Sequence, residues 1–140
     1  MTVDKGRVAD DGNLDDTNRN DAALKEERQR RYRVGWWAEF FVSVFLMARG
    51  YRVLARRART VHGEIDLVVV RGQRLSFIEV KARRSREAAE SSLSPRQRQR
   101  IKRASLFWMK SHPRFHNYEI TFDLVFVLPW RLPYHIVNGI

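Results

Sequence analysis

The segment Gly63-Glu64-Ile65-Asp66-Leu67-Val68-Val69-Val70, the connection Arg71-Gly72-Gln73-Arg74 and the segment Phe77-Ile78-Glu79-Val80-Lys81 leave the rest of the chain little freedom. Both segments alternate around β-branched and aliphatic residues. The connection supplies a two-residue loop with glycine at its first central position, as a type II′ turn requires. A β-hairpin of defined register is therefore expected. With Arg71 opposite Arg74, Val68 faces Phe77, Asp66 faces Glu79 and Glu64 faces Lys81, at roughly 5 Å between directly opposed Cβ atoms. The two-residue period also places Asp66, Glu79 and Lys81 on one face of the pair, and Ile65, Leu67, Ile78 and Val80 on the other.

Two carboxylates facing each other across strands repel, so a positive group is expected between them. Mg²⁺ (or Mn²⁺) suits that position, because a hard cation prefers oxygen ligands and usually takes only one or two protein carboxylates, with water completing its shell. Asp66 and Glu79 are the expected ligands, joined by the backbone carbonyl of Val80. Glu64 either binds a second ion or pairs with Lys81. Lys81 carries no lone pair for the metal while protonated. It could instead orient or deprotonate a water, or neutralise a phosphate oxygen.

Asp66 followed on the next strand by Glu79-Val80-Lys81 resembles the acid…(Asp/Glu)-x-Lys signature of the PD-(D/E)XK nuclease superfamily. Further words narrow the resemblance: Gly35 with Glu39, Gly50-Tyr51-Arg52-Val53-Leu54, Gly63-Glu64-Ile65-Asp66-Leu67, Phe77-Ile78-Glu79-Val80-Lys81-Ala82-Arg83, Arg96-Gln97 and His135-Ile136-Val137-Asn138-Gly139-Ile140. Together they are similar to the bacterial YraN-like family, from about Arg33 to the C-terminus. That resemblance implies a fold like that of archaeal Holliday-junction resolvases, an endonuclease activity, and a homodimer, since two coordinated cuts need two active sites. It also implies roles for Glu39 as an accessory metal ligand and for Gln97 beside the metal. The chain departs from the family in its unusually aromatic helix, Trp36-Trp37-Ala38-Glu39-Phe40-Phe41, and in an acidic leader.

Charge points to the partner. The 140 residues carry 27 Lys and Arg against 16 Asp and Glu, a net charge of +11. The acids are unevenly placed, with half of them before Arg28. Of those after it, Glu39, Glu64, Asp66 and Glu79 belong to the proposed site. A basic domain with its few acids gathered in one place fits a polyphosphate such as DNA, although a basic surface also serves solubility. Cysteine is absent, which excludes disulfides and thiolate metal sites and suits a reducing cytoplasm. The start, Met1-Thr2-Val3-Asp4-Lys5, lacks the basic-then-apolar run of a secretory signal.

Residues 1–20 have few apolar side chains and many Asp, Asn and Gly, so a disordered acidic leader is expected there, with a single nuclease-like domain over 21–140. Helix-forming residues begin at Asp21. Trp36 to Ala48 is apolar on nearly every side and ends at Arg49-Gly50, which reads as a buried core helix; it is too short for a membrane span, which needs about 20 residues. On that helix Glu39 is either paired with an arginine or recruited as a ligand. Tyr51 to Arg56 reads as a first strand, continued by a basic run. Arg56, Arg57 and Arg59 are either phosphate contacts or charges protecting a sheet edge. The stretch from Ala82 to Ser92 reads as a mobile loop whose Arg83, Arg84 and Arg86 clamp the substrate. Ser94-Pro95 starts a helix as N-cap and first residue. Its inward stripe is Gln97, Ile101, Ala104 and Trp108, with Arg96, Arg98, Arg100, Lys102 and Arg103 outside; Arg96 is a further candidate for DNA contact. Gln97 serves either the site or simply the helix start. His112 and His116 have zinc-like spacing, but Pro113 breaks the helix between them and no third soft ligand is near. Glu119 to Leu128 is a central strand and Tyr134 to Val137 an edge strand. The expected architecture is α/β, a central mixed sheet flanked by helices in the order α-β-β-β-α-β-β, the restriction-endonuclease-like core.

Overall fold

Residues 13–140 are described by the structure, a computed structural model. The chain divides into two units, Met1–Arg33 and Val34–Ile140. The helix α1 (Asn13–Ala48) begins earlier than the Asp21 start read from composition; the leader before Asn13 lies outside the described residues. In the first unit, Arg19 to Arg33 are exposed throughout. In the second, Ala38, Val42 and Leu46 are buried, whereas Trp36, Trp37, Phe40, Phe41, Val44 and Met47 are exposed. The expectation of an all-round buried helix is thus corrected. Within the described residues one side of this segment meets the sheet and its aromatic side does not. The helix ends as expected, with Gly50 at φ +87° and the Tyr51 N–H bonded back to the Leu46 carbonyl at 3.0 Å.

Five strands follow as one mixed sheet in chain order: β1 (Arg52–Thr60), β2 (Gly63–Arg71), β3 (Arg74–Ala82), β4 (Glu119–Val127) and β5 (Tyr134–Ile136). All neighbours are antiparallel except β3 and β4. Parallel strands cannot be joined by a hairpin, and here the crossover carries α2 (Arg86–Glu90) and α3 (Pro95–Lys110). The short α2 replaces part of the expected mobile loop, because Ser85 caps it by accepting the Ala88 N–H at 3.2 Å. Ser94 and Gln97 form a reciprocal capping box at the start of α3, with Pro95 in its first turn.

The sheet is covered on both faces. On one face of the sheet, Val42, Leu46 and Tyr51 pack against Leu67, Val69, Ile78 and Val125. On the other, Ala104 and Trp108 of α3 pack with Val68, Val70, Leu75, Phe77 and Phe115. Ile101, Ala89, Leu93 and Phe126 form a third cluster. Among the described residues no helix is long and apolar enough to cross a membrane.

The hairpin register is as read from the turn, with Arg71 opposite Arg74, Val68 opposite Phe77 and Gly72 at φ +59°. The ladder stops at Leu67–Ile78. Beyond that point β2 stays with β1 to the Thr60–Gly63 pair, and β3 stays with β4 to Ala82–Val127. The simple two-residue alternation also breaks there. Ile65 joins the α3-side cluster with Val68, although Leu67 lies in the other. The break coincides with Arg57, the residue between the Arg56–Leu67 and Ala58–Ile65 pairs, whose φ of +47° is rare for a side chain of this size.

Candidate active site

The point where β2 and β3 part company is where the acids collect. Instead of facing Glu79 as a ladder partner, Asp66 turns its carboxylate to the neighbouring strand and its Oδ2 accepts the Val80 backbone N–H at 2.8 Å. Glu79 is buried at 7% exposure and its Oε1 lies 3.4 Å from Lys81 Nζ. The expected Glu64–Lys81 pairing is replaced as well. Glu64 is opposite Arg59 on β1, with 3.7 Å between their charged atoms, because the β2–β3 ladder has ended before it. Glu39 reaches in from α1 and its Oε2 accepts from Arg57 Nε at 2.6 Å.

Electrostatics ties these groups together. Burial and, next, the negative charge of Glu79 push the Asp66 carboxyl up to about 8, against the opposing pull of the Val80 amide; Glu39 raises it further and Lys81 lowers it. Burial also raises Glu39, although Arg57 works against it, and the charges of Glu64 and Glu79 add to the rise. Four acids therefore feel one another in a partly dehydrated place. No ready-made group of three or more His, Cys, Asp or Glu ligands is present among the described residues. A hard divalent ion needs only one or two protein carboxylates, and a pair of dehydrated acids that repel is the donor chemistry that favours it.

The cations divide into those built into the cluster and those around it. Arg57, read as either a phosphate contact or a charge protecting the sheet edge, turns its guanidinium to Glu39 with its side chain 22% exposed. Arg100 was assigned to the outer surface and instead enters the site. Its Nη2 lies 3.8 Å from Glu79 Oε1, and its Nη1 donates to the Glu64 carbonyl at 3.0 Å. Gly63 makes room for it, since a Cβ there would stand 2.8 Å from Arg100 Nη1. The sequence signal for Arg100 was weak, since it is one of six cations on α3. Arg98, also assigned outside, donates to the Gly139 carbonyl at 3.2 Å and ties down the C-terminus.

The other expected residues are spread around this centre. Gln97 uses its side-chain oxygen to accept the Ser94 N–H at 2.9 Å, so it serves the helix start. Arg56 lies over the Phe40 ring at 5.6 Å. Arg59, Arg84 and Arg96 are exposed, and Arg83 donates to the Ala82 carbonyl at 2.7 Å. Arg86 stacks on Tyr134 at 4.6 Å. His112 and His116 each bond a backbone carbonyl, those of Trp108 and Met109.

The model of the uncharacterised protein family UPF0102 matches residues 38–127, which include every acid of this cluster. The chain belongs to UPF0102. This is the family that the YraN-like resemblance indicated. Among its members, a UPF0102 protein of Maricaulis maris is 50% identical over 101 residues, covering 72% of this chain and 80% of that protein. One from Bradyrhizobium diazoefficiens is 44% identical over 111 residues, covering 79% and 84%. One from Nitrobacter winogradskyi is 44% identical over 112 residues, covering 80% and 95%. In this UPF0102 protein the matched segment runs from α1 to the end of β4, so it includes four of the five strands, those that carry Asp66, Glu79 and Lys81 among them, together with the helix that carries Arg100.

Proposed function

We propose that this protein is a metal-dependent endonuclease that hydrolyses phosphodiester bonds in DNA, including branched or junction DNA, and acts in the cytoplasm. The observation that carries the reading is the Asp66 carboxyl, pushed up by burial and by the charge of Glu79, with the Lys81 amine 3.4 Å from Glu79. Asp66, Glu79 and the Val80 carbonyl would hold Mg²⁺ or Mn²⁺, with Glu39 and Glu64 supporting from the rim. When bound, such an ion polarises a phosphoryl oxygen and lowers the pKa of a bound water. Lys81 orients the attacking water or takes its proton, and Arg100 offers its guanidinium to the phosphate beside Glu79. The exposed arginines Arg56, Arg59, Arg84 and Arg96 supply the sequence-independent attraction to the DNA backbone. Two coordinated cuts on a junction would need two such sites, hence a homodimer.

The test is incubation with labelled linear, single-stranded, flapped and four-way-junction DNA in Mg²⁺, Mn²⁺ or EDTA. Cleavage by the wild type with a divalent ion, lost in Asp66→Ala and Lys81→Ala while binding persists, is the expected result. Binding of these DNAs without any cleavage would instead identify a non-catalytic nucleic-acid-binding module on the same fold.

A further inference from the structure

One stripe of α3 is used neither by the core nor fully by the acid site. Arg96, Arg100, Arg103, Phe107 and Lys110 are spaced four, three, four and three residues apart, so they lie along a single side of the helix, distinct from the buried Ile101, Ala104, Ser105 and Trp108. Arg100 anchors this stripe at Glu79. From there it runs about 15 Å to Lys110 at the helical rise per residue. An open groove follows it, lined by Arg103, Phe107, Lys110, His62, Leu106 and His116 among others. The His62 ring, on the turn just before Gly63, meets the Phe107 ring edge to face at 5.9 Å and 75°. Phe107 is 37% exposed, Leu106 62% and the neighbouring Val61 79%.

Cations at regular intervals with an exposed ring between them suit a particular ligand. Phosphates of any nucleic acid would satisfy Arg103 and Lys110. Phe107 and His62 add ring faces, and a ring face gains from a base only when that base is unstacked from its neighbours. In duplex DNA the bases are stacked on one another and shielded by two backbones, so the rings would contribute nothing. We propose that this groove binds a single-stranded DNA segment that leads away from the scissile phosphate along α3, with a base stacked on Phe107 beside His62 and its flanking phosphates on Arg103 and Lys110. The placement beside the scissile bond rests on the endonuclease reading; the groove itself does not. The preferred substrate is then DNA with an unpaired strand next to the cut, as in a flap, a fork or an opened junction, rather than a continuous duplex.

The test is fluorescence anisotropy in EDTA with the full chain, using labelled oligothymidylate and a blunt duplex of the same length. The wild type is expected to prefer the single strand. Phe107→Ala should weaken single-strand binding about tenfold while leaving duplex binding within about twofold, the scale of one lost base stack. Phe107→Tyr should restore it, and circular dichroism establishes that each variant is folded. Arg103→Ala should weaken both ligands and lower the slope of log affinity against log salt by about one. Single-strand binding by Phe107→Ala equal to wild type, equal affinity of the wild type for both ligands, or preference for oligouridylate over oligothymidylate would each overturn the proposal. The two readings fail separately. A protein that never cuts yet shows Phe107-dependent single-strand binding loses the nuclease reading and keeps the groove; one that cuts while Phe107→Ala binds normally does the reverse.

Discussion

Asp66 on β2 and Asp123 on β4 are both aspartates withdrawn from water inside the same sheet, and their surroundings differ in kind. Asp123, at 0% exposure, is fully provided for: Oδ2 meets His135 Nε2 at 2.7 Å and Oδ1 accepts the Asn138 N–H at 3.0 Å. Those contacts fasten the last strand and the C-terminal segment onto β4. Asp66 has one backbone N–H, a neighbouring buried acid and a pKa of about 8. A buried acid with complementary partners on both oxygens holds the fold together. A half-buried acid set against a buried one is poised to take up something else, which is why perturbed groups mark functional sites.

The comparison can be broken most sharply by exchanging the consequences of the two residues. Asp66→Ala should lower the rate of DNA cleavage by on the order of 10²–10³-fold, the scale of removing a preorganised electrostatic contact, with no loss of thermal stability at neutral pH. Asp123→Ala should do the opposite. It leaves His135 and the Asn138 N–H without their acceptor, so about 3 kcal/mol of stability should be lost in denaturant melts, while folded molecules cleave normally. Equal loss of stability from both substitutions would erase the distinction.

Titration sharpens it further. Because Asp66 holds its proton in the folded protein up to about pH 8 and the unfolded chain releases it near pH 4, the folded state binds the extra proton between those values. In EDTA, that group's contribution to stability is full at low pH and is lost as pH rises through about 8. Urea melts across this range should show the decline, and Asp66→Asn should flatten it. Saturating Mg²⁺ should flatten it too in the wild type, by replacing the proton with a metal. A wild-type decline that survives in Asp66→Asn would locate the titration elsewhere.

The smaller effects lie around the acids. Gly63→Ala must place a Cβ at φ +127° and against Arg100, and a loss of about 1–2 kcal/mol is expected in the same melts, with the Glu79–Arg100 contact disturbed. Glu39→Gln keeps a partner for Arg57 and removes one of the charges raising Asp66. Its effect should be the smallest, a modest downward shift of the Asp66 titration measured by NMR.

Much of the framework was legible because it rests on neighbours in sequence. Gly72 dictated the turn and with it five cross-strand pairs, Ser94-Pro95 dictated the start of α3, and Gly50 the end of α1. What escaped was set by residues far apart. Extending the hairpin pairing to Asp66–Glu79 and Glu64–Lys81 assumed that β2 prefers β3 over β1, whereas the register past Leu67 is governed by competition among three strands. Ser85 made a helix within a stretch whose composition reads as loop. The aromatic residues of α1 have the same hydropathy whether a sheet covers them or not, so Trp37 and Phe40 could not announce their exposure.

The sequence alone determined which chemical groups this protein possesses near one another along the chain: the acids and lysine of the hairpin, the arginine excess, the absence of cysteine and the local turns and caps, all governed by interactions over a few residues. Only the tertiary structure decided which of those groups meet. Arg57 turned inward to Glu39, Arg100 reached Glu79 from α3, and Asp66 took the amide of Val80, because strand divergence and helix packing bring together groups that no local spacing relates.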